Sequence, residues 1–213
     1  NKFWSNVWDF TNFVGEKKGK IFKSAPEFTK NKFFDECKIN YAENCLTRED
    51  DDDAIIFHSE KKIKRNYSWR ELRSAVFKFA NYLKNNNIEK NDRIAAILPN
   101  IPETVISFLS TAQLGAIWSS CSSDFGKKAI IDRFKQIEPK VLLFSDYYFY
   151  NNKKVDTTKI IKDVVYNIPS IEKIILIPYE FNEKDYQLDF EYDNLCKILQ
   201  QEIAYSKFEK FNF

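Results

Sequence analysis

The sequence predicts an α/β fold, a mostly parallel sheet with helical crossovers, preceded by an irregular and partly helical N-terminal segment. Two observations carry that expectation. Four short apolar runs, at residues 94–98, 116–118, 141–144 and 174–177, lack a polar face and are bounded by breakers, as strands buried on both sides are. Between them lie helical patterns at 102–114, 127–137 and 157–168. Strands alternating with helices are joined by right-handed crossovers, which makes neighbouring strands parallel.

Taken in order, Phe3, Trp4, Val7, Trp8, Phe10 and Val14 are spaced for a short amphipathic helix ending near Gly15, read as a docking segment. The acidic run 49–53 reads as a solvated turn at a domain boundary, separating a segment 1–50 from a domain 51–213. Residues 54–69 alternate around Glu60, Lys61 and Lys62, as two antiparallel strands joined by a turn do. Ser68 and Glu71 form a capping box, and Leu72, Ala75, Val76, Phe79, Ala80 and Leu83 then line one face of a helix. Pro102 near the start of the next helical pattern and Gly115 after its end suit its two termini. A last helix is expected at 192–200.

With 213 residues, 44% hydrophobic, the chain can bury an ordinary core without disulfides or a structural metal. A net charge of +2 lacks the attraction that drives binding to phosphate backbones or anionic lipid, so nucleic acid is not an expected partner. Cys37, Cys45, Cys121 and Cys196 have no metal-ligand or redox spacing and read as reduced thiols of a cytoplasmic protein. Residues 104–123 carry no charge over the length of a membrane helix, yet their serines, Thr111 and Gln113 favour a buried helix followed by a strand over a membrane span. Methionine is absent, even at position 1, so the chain is expected to lack its native start, and Phe213 is not expected to be a natural stop.

Few residues offer chemistry. The four glycines fit no phosphate loop, and His58, the single histidine, reads as a residue of an alternating strand. Cys121 has no neighbour to hold it as thiolate. Two segments remain. The loop 119–126, containing Ser122, Ser123 and Asp124, follows the carboxyl end of an expected strand, where ligands of open α/β sheets collect; the plainer reading is that Asp124 caps the next helix. The loop 145–155 combines Tyr147, Tyr148, Phe149 and Tyr150 with Lys153 and Lys154, able to stack on a base and pair with a phosphate, or simply to stand exposed.

Several stretches together resemble the acetoacetyl-CoA synthetases of the adenylate-forming superfamily: 3–10 and 34–46 before the main domain, Tyr67-Ser68-Trp69-Arg70-Glu71-Leu72, 96–103, and Gly115-Ala116-Ile117-Trp118-Ser119-Ser120-Cys121-Ser122-Ser123-Asp124-Phe125-Gly126. The resemblance covers essentially the whole chain. It implies the N-terminal subdomain of the adenylate-forming fold, truncated before the phosphate loop. It further implies a full-length ligase that uses ATP, Mg2+ and coenzyme A to convert acetoacetate to acetoacetyl-CoA, AMP and pyrophosphate. The fragment alone would be inactive, bind none of these tightly, and have the rest of its own chain as partner. Ser122, Ser123, Asp124, Tyr150 and Lys153 would border the coenzyme A nucleotide, with Lys153 placed for its 3′-phosphate and no catalytic residue or metal ligand in this stretch. Tyr150 stands where acetyl-CoA synthetases have arginine, Ser123 where close relatives have proline, and Asn152 where they have glycine. Another short-chain acid, or a non-catalytic interaction module descended from the fold, are the alternatives.

Overall fold

The structure is a computed structural model and describes residues 2–202 and 207–212; Phe213 lies outside the described residues. The chain forms two compact units, Asn1–Thr47 with Lys207–Phe213, and Arg48–Ser206. In the smaller unit the first helix is Lys2–Phe10, shorter than its aromatic spacing suggested. Val14 leaves the helical pattern because Gly15–Glu16 pairs with Lys38–Ile39 as a strand, and the amide and carbonyl of Val14 bond to the Asn44 side chain at 2.8 and 2.9 Å. Phe211–Asn212 adds a third antiparallel strand on Lys38–Ile39, and the Asn40 amide group donates to the Glu209 carbonyl at 2.8 Å.

The larger unit opens on the acidic run, whose carboxylates are engaged by arginines: Asp50 and Asp52 by Arg48, Asp51 by Arg70, Glu49 by Arg73. The expected hairpin follows as Asp53–His58 against Lys64–Ser68, with exposed His58 opposite Lys64. The capping box is complete: the Ser68 hydroxyl accepts from the Glu71 amide at 3.2 Å and the Glu71 carboxylate accepts from the Ser68 amide at 2.8 Å. It opens the helix Trp69–Asn85, which buries Leu72, Val76, Phe79 and Leu83 along one stripe.

The centre is a five-stranded sheet in the order Asp193–Asn194, Lys173–Ile177, Val141–Ser145, Arg93–Ile97, Ile117–Cys121, all parallel, as the alternation of strands and helices implies. Period-2 side chains divide between two cores. Ile94, Ala96, Leu143, Ile175 and Ile177 face Phe79, Leu83 and Ile198, while Ala95, Ile97, Leu142, Phe144 and Leu176 face Ile130, Phe134, Ile161 and Val164. The helices Lys127–Lys135 and Thr158–Asn167 supply that second face. Pro102–Gln113 ends at Leu114, and Gly115 (φ 67°) takes the left-handed position after it, where glycine is unstrained. The uncharged segment 104–123 is thus a helix followed by a strand. Among the described residues no helix is long and apolar enough to cross a membrane.

Three expectations change. The strand expected at 116–118 runs Ile117–Cys121, because full pairing with Arg93–Ile97 extends it through three polar or small residues that an edge strand tolerates. The helix expected at 192–200 is only Leu195–Gln200: Asp193–Asn194 joins the sheet, and the Asn194 side chain caps the helix by accepting from the Cys196 amide at 2.9 Å. The loop expected at 145–155 is an antiparallel hairpin, Tyr147–Tyr150 against Lys153–Asp156.

A buried brace ties the first hairpin to the helix Pro102–Gln113. Glu103, 0% exposed, accepts from the Arg65 guanidinium at 2.5 and 3.0 Å and from the Tyr67 hydroxyl at 3.0 Å. The guanidinium also stands 5.2 Å from the Phe57 ring and 5.6 Å from the Phe181 ring.

Candidate functional site

In the strand order, Arg93–Ile97 is joined by its crossover to Ile117–Cys121 on one side, while Val141–Ser145 on its other side connects away from it to Lys173–Ile177. The chain direction across the sheet reverses between these two neighbours. Ligands of open α/β sheets bind beyond the carboxyl ends of the strands at such a reversal. The segment after Cys121 and the hairpin after Ser145 both leave the sheet at this edge.

The hairpin turns on Asn151 and Asn152, with φ of 49° and 61°, the paired left-handed conformation of a type I′ turn. That explains asparagine at 152: next to glycine it tolerates this region best. Partners across an antiparallel pair point to the same side, so the register sorts the side chains. Tyr147, Phe149, Lys154 and Asp156 share one face, and Tyr148, Tyr150, Lys153 and Val155 the other. Lys154 lies over the Tyr147 ring at 3.5 Å and is spent there. Lys153, directly opposite Tyr150, has no ion pair among the described residues, and Tyr150 is 69% exposed. An aromatic ring and a cation side by side on an open face are the donor set that stacks on a base and pairs with a phosphate.

On the other segment, the Ser122 carbonyl accepts from the Phe125 amide at 3.2 Å, making a turn. Ser122 and Asp124 are exposed, whereas Ser123 is 4% exposed and its hydroxyl lacks a partner. Asp124 does not cap the next helix: Gly126 holds the cap position and no side chain bonds there, which leaves the carboxylate free of that duty. Burial raises the Tyr148 phenol, and the Asp124 carboxylate and Tyr150 raise it further. Burial also pushes the Cys121 thiol up to about 11, in keeping with an unreactive strand residue.

Two anchors were not read from the sequence. At its tip, the hairpin donates the Asn152 amide to the Glu60 carboxylate at 2.7 Å. At its base, the Asp146 carboxylate accepts from the amides of Tyr147 and Tyr179 at 2.9 and 2.8 Å. The Asn-Asn pair directly after the aromatic run 147–150 was the available signal for the hairpin, whereas Glu60 and Tyr179 lie far from it in the chain. No group of three or more His, Cys, Asp or Glu able to hold a metal gathers among the described residues.

A doubly covered parallel sheet with two segments leaving the carboxyl ends of its strands defines an open α/β domain of the kind that binds ligands at that edge. Residues 42–199 match the AMP-binding enzyme family, and the chain belongs to that family. It is 38% identical over 177 residues to the acetoacetyl-coenzyme A synthetase of Rhizobium meliloti (strain 1021), covering 83% of this chain and 27% of that protein. To the acetoacetyl-CoA synthetase of Xenopus tropicalis it is 35% identical over 188 residues, covering 84% of this chain and again 27% of the relative. The solved acetoacetyl-CoA synthetase of Streptomyces lividans superposes on 99% of this chain and 32% of that one, with a TM-score of 0.88 at 28% identity. The chain thus spans about a quarter of the length of these curated relatives.

Proposed function

We propose that the chain is the N-terminal part of an AMP-forming acetoacetate:CoA ligase, and that it contributes the scaffold and the edge that receives the coenzyme A nucleotide. In the reaction a carboxylate oxygen attacks the α-phosphorus of ATP and pyrophosphate leaves. The coenzyme A thiol then attacks the adenylate carbonyl, forming the thioester and releasing AMP. The assignment of substrate rests on the names of the relatives. The reading leaves ATP phosphates and Mg2+ to other segments, since the glycines here build no phosphate loop. The isolated 213-residue chain is therefore expected to show no ATP–pyrophosphate exchange with acetoacetate.

The observation that supports this site is the hairpin register, which sets Lys153 opposite Tyr150 on one face and Lys154 on the other, over the Tyr147 ring. In this reading Ser122, Ser123 and Asp124 border the same nucleotide. In the full-length enzyme, Lys153→Ala is expected to raise KM for coenzyme A about tenfold, as loss of a partly screened phosphate contact does. Lys154→Ala should change it little. Dephospho-coenzyme A lacks the 3′-phosphate and should be used about equally by wild type and Lys153→Ala. Equal losses with both thiols, or equal effects of the two lysines, would remove Lys153 from the site.

A further inference from the structure

Resting on that coenzyme A reading, we infer that Asp146 is the positioning residue that sets the hairpin bearing Tyr150 and Lys153 against the end of the sheet. Asp146 directly follows the strand Val141–Ser145 and is 3% exposed. One carboxylate oxygen accepts from the Tyr147 amide at 2.9 Å and the Tyr179 amide at 2.8 Å, with the Ser145 hydroxyl at 3.4 Å. The other accepts from the Tyr186 hydroxyl. Tyr147 opens the hairpin, and Tyr179 lies just past the neighbouring strand Lys173–Ile177. One side chain thereby joins two strand exits. The second leg of the hairpin returns to the same place: the Thr157 amide donates to the Asp146 carbonyl at 3.1 Å, and the Thr157 hydroxyl donates to the Ser145 carbonyl.

No cation pairs with Asp146 among the described residues, so its buried charge is compensated by these directed donors. An apolar side chain of the same size would fill the space and orient nothing. The effect on the site is that of a lever. A four-residue leg spans about 10 Å from base to tip, so a tilt of about 10° at the base displaces the tip by about 2 Å. That exceeds the tolerance of a hydrogen bond to phosphate. Glu60 restrains the tip through the Asn152 amide, so a displacement of that size must also break this bond. Asp146 touches neither Tyr150 nor Lys153, and acts on them through the hairpin.

The test uses the full-length enzyme with Asp146→Ala, Asp146→Asn, Tyr186→Phe, Lys153→Ala and the Asp146→Ala/Lys153→Ala pair. Asp146→Ala should raise KM for coenzyme A about tenfold while kcat changes less than about twofold, and hydrogen exchange should quicken at the Tyr147 and Tyr179 amides. Asp146→Asn, whose amide oxygen can still accept from both backbone amides, should recover most of the KM. The double variant should be no worse than about twofold beyond the worse single variant, because one effect is exerted through the other. A folded Asp146→Ala that lowers kcat alone, multiplies with Lys153→Ala, or leaves exchange at the two amides unchanged overturns the inference. Should Asp146→Ala fail to fold, Tyr186→Phe decides by removing one donor from the same carboxylate: a KM rise of about threefold supports the role, and an unchanged KM overturns it. If Lys153→Ala leaves KM unchanged, it is the coenzyme A reading that falls, and amide exchange still decides whether Asp146 sets the hairpin.

Discussion

Glu103→Gln should be among the most destabilising single changes in the larger unit, although it adds no volume. The carboxylate is fully buried, and the Arg65 side chain retains 16% of its exposure, so little water reaches either charge. Burial pushes the Glu103 carboxyl up, against the pull of Arg65 and of the hydrogen bonds it accepts. The substitution keeps one acceptor oxygen and replaces the other by an NH2 group facing a guanidinium or a phenol that also donates. Breaking a buried pair by altering one partner costs about 3–5 kcal/mol, because the remaining charge is left uncompensated. The residual exposure of Arg65 and the one oxygen that survives place Glu103→Gln near the lower end, about 3 kcal/mol. Tyr67→Phe, which removes a single donor to a charged acceptor, should cost about 1.5–2 kcal/mol. Replacing both charges, as in Arg65→Met/Glu103→Leu, should cost far less than the sum of the single changes, since neither desolvated charge remains. Equilibrium urea unfolding followed by circular dichroism measures the free energy of each of these variants and of the single changes Arg65→Met and Glu103→Leu. A Glu103→Gln variant within about 0.5 kcal/mol of wild type, or a double variant as costly as the two single changes added, would refute the reasoning.

Asp92 is expected to make stability depend on acid. Burial raises its carboxyl, but the Lys140 bond at 2.8 Å, the Glu89 amide at 2.9 Å and neighbouring charge outweigh this and leave it below its ordinary value of 3.8. A carboxyl depressed in the folded state adds stability above its unfolded pKa and loses it as pH falls through the folded value. The advantage of wild type over Asp92→Asn should therefore shrink below about pH 4, and a difference that stays constant in acid would contradict it. At the hairpin turn, Asn152→Gly should match or exceed wild type in melting temperature, while Asn152→Ala should cost about 1 kcal/mol for its left-handed backbone; the reverse order in calorimetry would exclude the type I′ turn.

How much was legible follows the range of each interaction. The capping box, the buried stripe of Trp69–Asn85 and three of the four apolar strands are local patterns, and they stand within a residue of where the sequence placed them. Both candidate segments follow strands, as the sequence placed them. Their geometry was not legible. Reading 145–155 as a loop missed the alternation that separates Lys153 from Lys154, because two adjacent lysines look alike until a register assigns them to opposite faces. The three carboxylates that organise this end of the molecule were missed for a common reason. Glu103 meets Arg65 across 38 positions, Asp146 meets the Tyr179 amide across 33, and Glu60 meets Asn152 across 92. Pairing at such separations is set by the topology of the sheet, which no window of neighbouring residues contains.

The return of the tail to the smaller unit has a consequence in time. Asn40 and Glu209 are 169 positions apart, yet their hydrogen bond and the strand Phe211–Asn212 belong to the unit that the first 47 residues begin. At about 5–20 residues per second of synthesis, roughly ten to thirty seconds separate the emergence of these two halves from the ribosome. The larger unit is itself made during that interval, and throughout it Lys38–Ile39 lacks one of its two sheet neighbours. The nascent chain thus passes through a period in which the sheet of its smaller unit has two strands and waits for the third.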